Sequence, residues 1–343
     1  MATKVFIIAE VGVNHNGELD LAKELVLKAK ESGADAAKFQ TFVVSENHHA
    51  IYSTKEKMAW AKSLEFSKEQ FKEVHQFCRD NDILFLSTPF DCESVDVLEE
   101  MEIPIYKIAS TGLFENPLLK YVAQKGKPII LSTGMAKEDE ISNALQIIDK
   151  HWTVNDNVWN NSYIQDFNLE RVNLLYCVSL YPALYEHVDL MKIQTFIKTF
   201  QKNIGFSDHT KGIDLPLAAV GLGARIIEKH LKLSEDHKCP DDMVSLTPMV
   251  FKEMVDSIRH IELAIGNGNF DLTHEEMEAR KNLRKGFFAS RSMKQGEIIS
   301  EEDLILRRPA GEIGLEHYDH LVGTKLIKGI KKEEVFTFNH LES

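Results

Sequence analysis

The sequence predicts a (β/α)8 barrel followed by a small C-terminal domain of a different kind. Between Val5 and Ile265, short β-rich runs alternate eight times with longer amphipathic stretches. The short runs are almost continuously apolar, as strands buried on both faces of a parallel sheet are, and about 265 residues suit a barrel in which every strand is followed by a helix. A doubly wound sheet is the competing arrangement, but no glycine-rich dinucleotide fingerprint follows the first strand. After Gly266 the alternation stops.

The elements follow in order. VFIIAEVG opens at Val5 and leads to a helix over Leu19 to Glu31, where Leu21, Leu25 and Ala29 recur every four residues. AAKFQTF, from Ala36, is followed by a polar loop and a helix starting near Ser67, whose SKEQ has the form of a capping box. LFLSTPF, from Leu84, precedes a helix over Asp91 to Glu100, and YKIAS, from Tyr106, one over Pro117 to Gln124. PIILSTG, from Pro128, precedes Lys137 to Lys150, and VNLLYCVS, from Val172, precedes Leu190 to Phe200. NIGFSDHT, from Asn203, precedes Leu215 to Gly221, and ARIIEKHL, from Ala224, precedes Pro248 to Ile265. One connection is out of proportion: His151 to Arg171 joins a helix to a strand where two to six residues are usual. It reads as a tolerated surface insertion away from catalysis, with a partner-contact surface, suggested by Trp152, Trp159 and Tyr163, as the alternative. The expected boundaries are 1–265 for the barrel, 266–284 for a linker and 285–343 for the small domain.

The chain has 343 residues, 40 Lys and Arg, 53 Asp and Glu and a formal net charge of −13. That balance argues against a sequence-blind grip on nucleic acid or an anionic membrane, so an anionic ligand requires a locally basic pocket. The small domain carries nine basic and ten acidic residues, which leaves the acidic excess on the barrel. No signal peptide or membrane span is evident. Four scattered cysteines without a CxxC pair argue against a disulfide framework or thiolate zinc site, and the expected compartment is the cytoplasm.

Barrel enzymes draw their reacting groups from the C-terminal ends of the strands, and here every strand delivers one. In order these are Glu10, then Lys38 and Gln40, then Ser87 and Thr88, then Lys107 and Ser110, then Ser132 and Thr133, then Ser179 and Tyr181, then Ser207, Asp208 and His209, and finally Glu228, Lys229 and His230. A single Ser or Thr there more often caps the next helix. Lysines interrupting apolar strands are harder to explain as structure, because an unpaired buried ammonium is costly. Lys38 and Lys107 with a ring of hydroxyls point to a phosphate- and carboxylate-bearing ligand. His209 and His230 end neighbouring strands about 4.8 Å apart and suit a shared divalent ion with open positions, such as Mn²⁺. Two independent structural or acid-base histidines are the alternative.

The runs IIAEVGVNHNG, AKFQT, LSTPFD, YKIAS, ILSTGM, YCVSLYP, GFSDHT, IEKH and LRRPAGEIG, in this order across both domains, resemble the sialic acid (nonulosonic acid) synthase family. The resemblance implies a (β/α)8 barrel with a C-terminal antifreeze-protein-like (SAF) domain, assembled as a domain-swapped homodimer. It implies condensation of phosphoenolpyruvate with the open-chain aldehyde of an N-acyl hexosamine, giving a nine-carbon 2-keto-3-deoxy acid and phosphate. On the same resemblance, Lys38, Thr88 and Lys107 hold the phosphoenolpyruvate carboxylate and neighbouring charge, while Ser110, Ser132, Ser179 and Ser207 surround its phosphate. Ser179 stands where well-studied members have Asn. His209 and His230 match the metal ligands, for Mn²⁺ or alternatively Mg²⁺ or Co²⁺, and Gln40, Tyr181 and Asp241 match the sugar site. Arg308 matches an arginine that reaches a partner's barrel. Glu10 is the expected base or orienter of water, against a purely structural pairing with Lys38.

Two departures bear on the acceptor. Thr111-Gly112 stands where many members have Gly-Glu, which removes a carboxylate unless Glu115 reaches back, and Cys239-Pro240-Asp241 replaces Gly-Pro-Asp. Legionaminate- and pseudaminate-type acceptors therefore stay open beside N-acetylmannosamine. So do other phosphoenolpyruvate-aldose condensations, and a binding protein that kept the fold without the chemistry.

Overall fold

The computed structural model describes residues 4–47 and 54–341, which form two units, Met1–Gly266 and Asn267–Ser343. The first is a (β/α)8 barrel. Its strands are β1 (Phe6–Gly12), β2 (Ala36–Thr41), β3 (Leu84–Pro89), β4 (Tyr106–Ile108), β5 (Ile129–Ser132), β6 (Val172–Cys177), β7 (Ile204–Asp208) and β8 (Ile226–His230). Parallel ladders run β3-β2-β1-β8-β7-β6-β5-β4, and β3 packs beside β4 to complete the ring. Among the described residues no helix is long and apolar enough to cross a membrane.

Alternation along the strands makes two cores. Residues on the outer side, such as Ile7, Ala9, Phe39 and Phe85, pack against the surrounding helices. Those on the inner side, including Phe6, Ile8, Leu84, Leu86, Ile130, Leu175 and Ile226, fill the barrel. The helix over Lys68–Asp80 illustrates the outer layer. Ser67 accepts from the Gln70 N–H while Gln70 accepts from the Ser67 N–H, so the capping box forms as the sequence predicts, and Phe71, Val74 and Cys78 turn inward.

The segment read as a polar loop after β2 contains a helix, Lys55–Leu64, capped by Thr54, which accepts from the Lys57 N–H. Its KEKMAWAKSL sequence buries only Ala61 and Leu64, too few apolar positions to reveal a periodic face. Residues 48–53 of the same stretch lie outside the described residues.

The long His151 to Arg171 connection is also not the loose surface insertion expected. It folds into a 3₁₀ turn (Asp156–Asn160) and a short helix (Ser162–Asp166), and buries Ile164, Phe167 and Leu169 in the inner core. Phe167 lies against Phe6 with ring centroids 4.6 Å apart. The reason is geometric: the N-terminal end of the barrel leaves Phe6, Leu84 and Ile226 without cover, and this segment supplies it. Trp159 and Tyr163 pack on the same plug, while Trp152 joins the outer core and sits under the Arg171 guanidinium, 5.0 Å from its ring.

The second unit starts with a capped helix, His274–Leu283, in the stretch expected to be a linker. It continues with an antiparallel pair, β9 (Gly286–Ala289) and β10 (Leu304–Arg307), around a core of its own that includes Phe287, Ile299, Leu326 and Phe336.

Truncating the plug exposes the lower tier of the barrel. Phe167→Ala is expected to cost about 3 kcal/mol, as for other buried aromatic truncations, seen as a lower thermal midpoint of the barrel transition. An unchanged midpoint would mean that the plug is not part of the core.

Candidate active site

At the C-terminal end of the barrel, inward positions change from apolar to charged. Ladder register explains which groups meet. Glu10 is the partner of Lys38 on one side and of His230 on the other, and Ser207 is the partner of Glu228. The resulting cavity, about 400 Å³, is built by residues of the first unit.

Its floor is a chain of four buried charges. Glu10 Oε2 lies 2.6 Å from Lys38 Nζ, Lys38 Nζ lies 3.5 Å from Glu228 Oε2, and Lys107 Nζ lies 3.7 Å from Glu228 Oε1. Neutral groups complete the coordination. Gln40 donates to Glu10 at 3.1 Å, Ser207 to Glu228 at 2.8 Å, Lys38 to Thr88 Oγ1 at 3.2 Å and Lys107 to Ser132 Oγ at 2.7 Å. Burial pushes the Glu10 carboxyl above its ordinary value, and Lys38 offsets only part of that. Burial also raises Glu228, but Lys107, Lys38 and the Ser207 hydroxyl reverse the effect and hold it at about 2. Burial lowers Lys107 on balance, while Lys38, subject to the same burial, is raised by the combined pull of Glu10 and Glu228. The two carboxylates differ in surroundings: Glu228 lies between two ammonium groups, and Glu10 beside one.

Above the floor, Gly134 lets hydroxyls converge. Its N–H donates to Ser110 Oγ at 2.9 Å, and a Cβ there would lie 2.1 Å from Ser179 Oγ and 2.7 Å from Ser110 Oγ. With Ser132 and the Lys107 ammonium nearby, this is a set of small donors suited to an anion. Met135 follows with φ +67°, a left-handed backbone strained for a residue with a side chain, and its 62% exposed side chain lines the mouth.

His209 Nδ1 lies 2.8 Å from the Val178 carbonyl oxygen, which can only accept, so Nδ1 carries the proton and Nε2 keeps its lone pair. Burial holds this imidazole neutral, at about 3. His230 sits with its ring centroid 5.5 Å from that of His209. Its buried Nδ1 has no aligned hydrogen bond, although Asp241 Oδ2 is 3.3 Å away. Burial alone would lower the His230 pKa, but Asp241 and Glu10 raise it. A tautomer fixed through a carbonyl and a second imidazole beside a carboxylate are what a first-row divalent ion requires of its ligands and their supports, so these residues fit such an ion. Among the described residues no group of three or more His, Cys, Asp or Glu that could hold a metal ion is found. Tyr181 stacks on His209 at 4.0 Å and meets His230 edge-on at 5.8 Å.

Asn14 secures the loop after β8. Its Oδ1 accepts from the Asp241 N–H at 3.1 Å, and its amide donates to Leu231 O and Ser245 Oγ, each at 2.9 Å. Asp241 therefore reaches the cavity despite Cys239 in the loop. Glu10, Lys38, Gln40, Thr88, Lys107, Ser110, Ser132, Ser179, Tyr181, Ser207, His209, His230 and Asp241 line this one cavity, whereas Ser87, Thr133, Asp208 and Lys229, also expected at the strand ends, do not. Arg308 lies in the second unit, exposed just after β10.

Glu115 does not line the cavity, and a Cβ at Gly112 would meet Ile108 Cγ2 at 2.8 Å. Position 112 therefore faces the core. The sequence reading placed Glu228 at the rim beside His230 but gave it no role, whereas here it lies between both lysines. It also missed Trp60 and Phe90, which line the mouth. Trp60 lies on the helix read as a loop.

The sequence profile of the NeuB family matches residues 25–270, and that of the SAF domain matches residues 278–342. The N,N'-diacetyllegionaminic acid synthase of Campylobacter jejuni is 38% identical, the alignment covering 97% of this chain and 98% of that protein. The N-acetylneuraminate-9-phosphate synthase of Homo sapiens is 33% identical, with 96% and 90% covered. The solved N-acetylneuraminic acid synthetase of Leptospira borgpetersenii aligns with a TM-score of 0.71 at 34% identity, over 80% of this chain and 90% of that one.

The Glu228 carboxylate, held near 2 against an ordinary 4.5, contributes stability that is complete above its unfolded value and fades as pH falls toward 2. Glu228→Gln leaves two buried ammonium groups short of a partner. It is expected to cost about 3 kcal/mol at pH 7 and clearly less at pH 3, by urea unfolding at both pH values. Equal losses would show that the buried carboxyl is not ionised.

Proposed function

Because the chain belongs to the NeuB family of nonulosonic acid synthases, we propose that it condenses phosphoenolpyruvate with the open-chain aldehyde of an N-acyl hexosamine. The products are a nine-carbon 2-keto-3-deoxy acid and phosphate, which makes it a transferase. The observation that carries the reading is the pairing of a donor-rich, doubly lysine-bearing floor with two adjacent imidazoles in one cavity.

In this reading Lys38, Thr88 and Lys107 bind the phosphoenolpyruvate carboxylate and adjacent charge, while Ser110, Ser132, Ser179 and Ser207 surround its phosphate. His209 and His230 would hold a divalent ion, Mn²⁺ or alternatively Mg²⁺ or Co²⁺, supplying Lewis-acid polarisation of the aldehyde oxygen. C3 of phosphoenolpyruvate bonds to the aldehyde carbon and leaves C2 electron-poor. Glu10 takes a proton from the water that adds to C2, a role its raised pKa supports, and phosphate leaves with the C2–O bond. Gln40, Tyr181 and Asp241 orient the sugar. Arg308 is expected to act on the acylamino group from the small domain of a partner copy, in a cytoplasmic domain-swapped homodimer.

Of the acceptor classes, the cavity favours a di-N-acylated 6-deoxyhexose over N-acetylmannosamine or a phosphorylated sugar. Lys38 and Lys107 are the only Lys or Arg among the described lining residues, and both are buried in the floor. The mouth offers Trp60, Phe90, Met135 and Val13, surfaces for acyl methyl groups and a deoxygenated carbon that give a second phosphate no counter-charge. The 38% identity to a synthase named for a diacetylated product points the same way.

Phosphate release from phosphoenolpyruvate with added Mn²⁺, across a panel of acceptors, tests the reading. The di-N-acylated 6-deoxyhexose is expected to give a kcat/KM at least tenfold above that of N-acetylmannosamine 6-phosphate. Release only with phosphorylated pentose or tetrose would assign the chain to another condensation, and no release with any sugar would leave a binding protein. Glu10→Gln is expected to lower kcat about a hundredfold or more with phosphoenolpyruvate affinity retained, so an unchanged rate would remove Glu10 from proton transfer. Trp60→Ala is expected to raise KM for the sugar several-fold without changing that for phosphoenolpyruvate, measured by initial rates with each substrate varied.

A further inference from the structure

One buried ion pair has no place in this chemistry. Asp208 and Lys229 are both fully buried, with Lys229 Nζ 2.5 Å from Asp208 Oδ2, yet neither lines the cavity. Withdrawing two charges from water is costly, and buried pairs can often be replaced by apolar side chains without loss of stability. The pair therefore calls for a reason beyond holding the fold together.

Its position supplies one. The β7–β8 ladder ends where Asp208 is paired in register with Lys229, and the next residue on each strand is one of the two site imidazoles, His209 and His230. His209 thus lies just past the end of its strand, where sheet hydrogen bonding no longer fixes the backbone. The ion pair takes over at that point. Asp208 Oδ1 accepts from the Thr210 N–H at 2.9 Å, while the Lys229 ammonium donates to the Thr210 carbonyl as well as to Asp208. Both backbone polar groups of Thr210 are thereby tied to side chains that are themselves locked together. The backbone that carries His209 is fastened to the strand that carries His230.

We propose that Asp208 and Lys229 are positioning residues that set the spacing and orientation of His209 and His230 for a shared divalent cation. The inference rests on the reading of those two histidines as the cation site. A cation held by two imidazoles would tolerate little movement of either ring, and supports outside the ligand sphere commonly change metal affinity 10–100-fold. The pair acts through backbone placement, so its removal weakens the cation without touching the lysine and serine floor.

The test uses the full-length protein and Mn²⁺ alone, with free Mn²⁺ counted by electron paramagnetic resonance. Removing one partner would strand a buried charge, so the informative variant removes both, Asp208→Leu with Lys229→Met, its fold checked by circular dichroism and thermal midpoint. Mn²⁺ affinity is expected to fall at least tenfold, while metal-free phosphoenolpyruvate binding stays within twofold of wild type. Mn²⁺ affinity within twofold of wild type in the folded double variant overturns the proposal, as does an equal loss of Mn²⁺ and phosphoenolpyruvate binding, which would mark a general structural role. Should the double variant fail to fold, Asp208→Asn is judged by the same two affinities. His209→Ala separates the two levels of inference: if it binds Mn²⁺ like wild type, the cation-site reading itself fails and the positioning role falls with it. If it loses Mn²⁺ while the double variant keeps it, only the positioning role falls.

Discussion

Two lysines and two glutamates share the floor of the barrel, none more than 5% exposed, and much of the architecture serves to make that arrangement tolerable. Each of these charges would be prohibitive alone. In alternation, on strands β1, β2, β8 and β4, they form a chain in which every charge touches an opposite one, and Gln40, Thr88, Ser132 and Ser207 take up further hydrogen bonds. Parallel strands in fixed register are what bring the partners level. A one-residue slip of β2 would turn Lys38 into the apolar outer layer and leave Glu10 without its neighbour. The site is therefore not an addition to a finished barrel, because its charges help to specify which strand residues face inward.

The quartet is neutral by formal charge, which qualifies the simple picture of a basic pocket within an acidic protein. Local attraction for an anion does not come from excess lysine. On the proposed function it comes from donors aimed into the cavity and from imidazoles that would share a cation. The overall charge of −13 is then compatible with anion binding, because the field that matters is set within a few ångströms by groups screened from the surface.

Much of this was legible in the sequence, and the reasons are physical. Strands buried on both faces leave continuous apolar runs, and helices such as Lys68–Asp80 announce themselves through caps and four-residue spacing. A lysine in an apolar run, as at Lys38 or Lys107, stands out because nothing structural recommends it. What escaped was whatever leaves no periodic trace. The helix over Lys55–Leu64 buries too little to show a face, so Trp60 could not be assigned to the mouth. Glu228 was counted at the rim with His230 but given no role, because its tie to two lysines depends on the register between strands. The 151–171 segment was misjudged because its three buried side chains, Ile164, Phe167 and Leu169, are spaced for a plug, a shape with no sequence period.

That plug has a kinetic consequence. With the barrel interior filled by Phe6, Ile8, Leu86 and Ile130 and its far end covered by Phe167, the cavity is a well rather than a passage, and whatever occupies its base would have to arrive before whatever occupies its mouth. On the proposed assignment the smaller, more highly charged donor takes the base and the sugar closes over it. On that assignment the two substrates would queue in a fixed sequence, and the chamber would reset only after the bulkier product left through the opening by which its parts came in.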